Sequence, residues 1–65
     1  MRLEIRKKQS KSGSVYCCLV LVIDDANYRV LSFDMVLLSE LSNLSVSALN
    51  ALKVGDTIFI GDVIK

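Results

Sequence analysis

The first eleven residues hold Arg2, Arg6, Lys7, Lys8 and Lys11 against a single carboxylate, Glu4, a local charge of +4. Residues 12–65 hold Arg29, Lys53 and Lys65 against Asp24, Asp25, Asp34, Glu40, Asp56 and Asp62, a charge of −3. The net charge of +1 therefore hides a basic opening on an acidic body. Clustered ammonium and guanidinium groups attract phosphate oxygens even when the whole chain does not. Their competing use is to keep a solvated edge strand from pairing with other edges. Aromatic rings are the second resource, because nucleobases stack on them at ~1–3 kcal/mol per base. Tyr28 follows a turn and adjoins Arg29, and Tyr16 stands three residues after Gly13, so both are read as surface. Phe33 and Phe59 lie inside apolar patterns and are read as core. The candidate nucleic-acid contacts are thus Arg6, Lys7, Lys8, Lys11, Tyr16, Tyr28 and Arg29. With so few rings, binding would lean on phosphate contacts and be salt-sensitive.

Other chemistry is poorly supplied. The chain has no histidine, which removes Ser-His-Asp and Cys-His arrangements and His-containing zinc sites. Its three glycines, Gly13, Gly55 and Gly61, are too far apart to form a phosphate-cradling loop. Asp24 and Asp25 read as turn formers, and Asp56 and Asp62 as turn or cap residues beside a strand. Cys17 and Cys18 are adjacent, so on a strand their side chains point to opposite faces and cannot share one metal. No catalytic site, metal or cofactor is expected.

The elements that must position these groups follow from periodicity. Residues 2–9 alternate, with Leu3 and Ile5 on one face and Arg2, Glu4 and Arg6 on the other, which predicts a half-buried strand. Residues 9–14 form a polar, Gly-containing connection. Val15 to Ile23 is a continuous apolar run, which predicts a strand buried on both faces. Asp24 to Asn27 reads as a turn and Tyr28 to Phe33 as a third strand. The period then changes. Leu37, Leu41, Leu44, Ala48 and Leu52 recur at helical spacing, with Asp34 and Ser45 as candidate N-caps. The expectation is one helix near 35–43 and a shorter one near 46–52. Gly55 is suited to a positive φ before a last strand, Thr57 to Ile60. Gly61 and Asp62 read as a bulge or turn before Val63-Ile64.

At 65 residues the chain has room for one domain, 1–65. The predicted fold class is mainly β with one helical segment, β-β-β-α-β. It would form a small OB-like antiparallel barrel, or a sheet completed by dimerisation. A core of this size rarely supplies more than about 3–5 kcal/mol. The apolar strand at 15–23 offers two faces, and one helical layer covers only one. A homodimer is therefore expected. The longest apolar run has nine residues, short of the ~20 a membrane-spanning helix needs, so no membrane association is expected. No secretory signal pattern is evident at the N-terminus, and free thiols fit a cytoplasmic location.

Three stretches carry a resemblance. Leu3-Glu4-Ile5-Arg6, Lys11-Ser12-Gly13-Ser14-Val15-Tyr16 and Lys53-Val54-Gly55 resemble segments of the single-stranded-DNA-binding proteins of filamentous phages. The resemblance covers about a quarter of the chain. It implies an OB-type barrel, a homodimer and cooperative, sequence-tolerant binding of single-stranded DNA, with Lys11 and Tyr16 at the DNA surface. This chain is shorter than those proteins and carries a helical middle at 35–52. The expected function is a small nucleic-acid-binding protein of a phage or plasmid that takes single-stranded DNA through its basic first strand and loop. The alternative is a dimeric protein-interaction or regulatory module that binds no nucleic acid.

Overall fold

Period-two alternation, a Gly-containing polar link and an Asp-Asn turn arrange the first half of the chain as a meander. The computed structural model describes residues 1–63. It places β1 at Arg2–Gln9, β2 at Val15–Val22 and β3 at Tyr28–Ser32. Two short helices follow, α1 at Met35–Ser42 and α2 at Val46–Asn50, and then β4 at Thr57–Asp62. All pairings are antiparallel and the sheet order is β3-β2-β1-β4. The result is mainly β, as the alternation predicts, with four strands in one open sheet. Its free edges are β3 and β4. Of the expected last segment, Val63-Ile64, the residue Ile64 lies outside the described residues.

Local chemistry sets the connections. The Asp24 carboxylate accepts from the backbone N–H groups of Ala26 and Asn27 at 2.8 and 3.0 Å, which closes the turn between β2 and β3. Asp34 caps α1 by accepting from the N–H groups of Val36 and Leu37. Ser45 caps α2 through the N–H of Ala48. Between the helices Asn43 takes a left-handed conformation, φ 59°, and ends α1. Gly55 adopts φ +95° ahead of β4, where a Cβ would be strained. The irregularity expected at Gly61-Asp62 falls one residue earlier. Leu3 pairs with Gly61 but Glu4 pairs with Phe59, so Ile60 is the extra residue and Gly61 and Asp62 stay in the ladder.

The two helices cover one face of the sheet. Ile5, Cys17 and Leu19 from β1 and β2 pack with Leu38 of α1 and Leu49 of α2, and Ile58 and Ile60 of β4 close the cluster. Here the structure corrects the expected helical face. Leu38 and Leu49 are fully buried, whereas Leu37 and Leu41 are exposed. The 37-41-44-48-52 pattern spans the break at Asn43, and two separate short helices do not share one continuous stripe.

The other face of the sheet has no helical layer, yet Cys18 and Val20 on it are wholly buried and Val22 nearly so. Tyr16 packs on this cluster. Lys8 of β1 reaches Tyr28 of β3 over the same face. β2 lies between β1 and β3, so any such contact must pass above Cys18 and Val20. The chain thus covers both faces of β2 with its own side chains. The argument that β2 itself needs a second subunit is overturned. Exposed apolar side chains include Leu31 of β3, Phe33 and Val36 at the start of α1, and Phe59 of β4.

Candidate nucleic-acid interface

The helix-free face carries Arg2, Glu4, Arg6 and Lys8 from β1, because alternate residues of a strand share a face. Their partners across the ladders lie on the same face, Tyr16, Cys18, Val20 and Val22 from β2, with Thr57 and Phe59 from β4. Tyr28 and Val30 of β3 join them through Val22 and Val20.

Three of the residues singled out in the sequence meet here. The Lys8 Nζ donates to Tyr28 Oη at 2.6 Å and lies 4.4 Å from the ring centroid. The Arg6 guanidinium lies 5.0 Å from the same centroid. The ring is therefore held by two cations while nearly half of its residue surface remains open to solvent. Tyr16 is half-buried and packs on Phe33, with ring centroids 5.8 Å apart and planes inclined at 60°.

Glu4 is the counter-ion of the face. Its carboxylate accepts from Arg2 Nε at 2.7 Å and from Arg6 Nη2 at 3.0 Å. The hydrogen bond from Arg2, reinforced by Arg6, holds the Glu4 carboxyl below the usual carboxylate range against the opposing effect of burial. Arg2 also faces Asp62 across the β1–β4 ladder, so the face carries three cations, Arg2, Arg6 and Lys8, against two carboxylates. Burial pushes the Cys18 thiol up from its ordinary value.

Lys7 does not belong to the set. It faces the helices and is 5% exposed. Its ammonium donates to the carbonyl oxygens of Leu49 at 3.1 Å and Asn50 at 3.2 Å, at the C-terminal end of α2. The Cys17 thiol donates to the same Leu49 carbonyl. Arg29 also departs. It is exposed but sits on β3 beside Leu21, on the face opposite Tyr28. Lys11 is exposed in the turn between β1 and β2, apart from the Tyr28 cluster.

Phe33 beside Tyr16, and Arg2, Glu4 and Phe59 of this face, were not in the candidate set. The alternation that assigned Arg2, Glu4 and Arg6 to one face could have excluded Lys7 and added Arg2. The two phenylalanines carried no such signal, since their apolar surroundings in sequence suggest a core. They are instead 61% and 58% exposed.

An open groove of about 580 Å³ runs beside the end of β1, between residues 6–9 and the segment Val54–Thr57. Arg6 and Lys8 are among the residues that line it, and their charged heads lie within 5.0 and 4.4 Å of the Tyr28 ring centroid. Lys7 Nζ is committed to α2. The charge of β1 is thus displayed on the sheet face and not in the groove.

Among the described residues no group of three or more His, Cys, Asp or Glu side chains is placed to hold a metal ion. Likewise no helix among them is long and apolar enough to cross a membrane. Comparison of the chain with protein-family models, with curated proteins and with solved structures gave no match.

Proposed function

We propose that this protein binds single-stranded nucleic acid, with little preference for sequence, on the helix-free face of its sheet. The observation that carries the reading is the meeting of Arg6, Lys8 and the open Tyr28 ring on one face. Single-strand binders combine cations that track phosphates with aromatic rings on which bases stack. Nothing on this face offers a rigid array of base-edge donors and acceptors, so discrimination between bases would be slight. The meander, the helical segment and the returning β4 support an OB-like reading, in which an added strand joining the β3 and β4 edges would close the barrel. In this proposal the protein is a binding module and not an enzyme. It works in the cytoplasm on a phage- or plasmid-type single strand, as a homodimer joined through the apolar β3 and α1 surface.

Fluorescence anisotropy of a labelled oligothymidine, titrated at low and moderate salt, tests the proposal. Saturable binding at low salt that weakens steeply with added salt supports it. No binding at low salt overturns it.

The exposed Leu31, Phe33 and Val36 favour a second reading, a protein-interaction module whose contact surface is this apolar patch. In that case oligothymidine would not bind, and substitution of Phe33 by a charged residue would abolish self-association or partner capture.

A further inference from the structure

Phe59 is an apolar ring placed where packing does not require it. It lies in the middle of β4, yet 58% of its surface is exposed. Its neighbours Ile58 and Ile60 serve the helix-covered core, so the strand is anchored without it. The register sets Phe59 directly opposite Glu4, on the face that carries Arg2, Arg6 and Lys8. β4 and β3 are the two edges of the sheet, three strand spacings apart, which is about 14 Å at ~4.8 Å per spacing. Phe59 and Tyr28 therefore stand at opposite sides of the cationic row on β1. The Tyr28 ring leans from β3 across β2 to within 5.0 Å of the Arg6 guanidinium, so it and Phe59 flank the same cations from two sides.

We propose that Phe59 is a second base-stacking post, and that a bound single strand crosses the sheet from β3 to β4. Its phosphates would pass over Arg6 and Arg2, and one base would stack on Tyr28 and another on Phe59. The inference rests on the nucleic-acid reading above and adds to it the path and direction of the ligand. A hydrophobic ring beside a guanidinium pair suits a planar base joined to a phosphate, and the exposed ring needs no rearrangement to receive it.

The test uses Phe59→Ala and Phe59→Trp in the full chain, with oligothymidines of increasing length as probe. Phe59→Ala should weaken binding by about tenfold and leave the salt slope unchanged, because a stacked ring releases no counter-ions. Its affinity should also stop rising at a shorter oligomer than that of the unaltered protein. The chain has no tryptophan, so Phe59→Trp supplies a lone indole whose emission should be quenched as a base stacks on it. Unchanged affinity of Phe59→Ala, or an unquenched Phe59→Trp in a protein that still binds, overturns the proposal. So does a change of molecular mass in Phe59→Ala, which would place the ring in a contact between subunits. Failure of the unaltered protein to bind oligothymidine is a different result, and removes the parent reading as well.

Discussion

The ammonium of Lys8 and the phenol of Tyr28 meet at 2.6 Å across the width of β2. The register puts Lys8 opposite Tyr16 and Tyr28 opposite Val22, six residues apart along β2. On a flat strand that offset is about 20 Å. The contact is possible because the sheet is coiled, which brings one pair of its diagonal corners together. The pairing has two consequences. It spans the face of β2 on which Cys18 and Val20 are buried, and it displays a cation beside an aromatic ring on a surface that has no helical cover.

Lys8→Glu should weaken oligothymidine and mixed-sequence strands about equally, since phosphate contacts carry no base information. The slope of log affinity against log salt should flatten by about one for the lost contact. Anisotropy titrations at several salt concentrations measure both. Lys7→Glu should act on stability instead, because it removes the ammonium donor to the Leu49 and Asn50 carbonyls and buries a carboxylate against those oxygens. A thermal melt that shows Lys7→Glu folding as well as the parent would contradict the placement of Lys7.

Tyr28→Ala should cost ~1–3 kcal/mol of binding while the fold survives, because the ring is largely exposed and lies outside the helix-covered core. It should also uncover Cys18. In a Cys17→Ala background, Cys18 should react faster with an aromatic disulfide reagent when Tyr28 is alanine. Equal rates would mean that Tyr28 does not shield the thiol.

Acid should destabilise the protein through Glu4. Its folded carboxyl lies below its ordinary value, so the Arg2 and Arg6 pairing contributes fully above the unfolded carboxylate range near pH ~4.3. That contribution is lost as pH falls further, through the folded value. Asp24, depressed chiefly by its hydrogen bond from the Asn27 side chain, acts in the same direction. Glu4→Gln should therefore be less stable at neutral pH and show a shallower loss between about pH 5 and 2. Denaturant midpoints at a series of pH values give the comparison, and parallel curves would remove Glu4 from the account.

Leu38→Ala should cost ~2–5 kcal/mol, the range for deleting a fully buried leucine, and Leu41→Ala far less. Equal costs would show that the periodic face drawn through Leu37 and Leu41 is the buried one after all.

Light scattering on a sizing column should give twice the 7.2 kDa chain mass at micromolar concentration, with a melting temperature that rises with concentration. Phe33→Glu should shift the mass toward one chain. A single-chain mass for the unaltered protein would show that β3 and α1 tolerate their exposed side chains without a partner.

The sequence by itself defines the elements and the faces of the first two strands, but not the buried face of the helices. Alternation from Leu3 to Lys8 separates the core side of β1 from its charged side, and the apolar run at 15–23 marks a strand covered on both faces. Asp34 and Ser45 announce the two helix starts, and Gly55 the turn before β4. These are local signals, set by backbone geometry within a few residues. Tertiary structure alone decided what each face meets. Lys7 and Lys8 are adjacent and chemically alike, yet one closes the end of α2 and the other lies over Tyr28. Phe59 sits in an apolar strand but faces outward, because both helices pack on the opposite side of the sheet. Whether a side chain is buried depends on the layer that arrives above it, and that layer comes from elsewhere in the chain, 42 positions away for Lys7 and Leu49 and 20 for Lys8 and Tyr28.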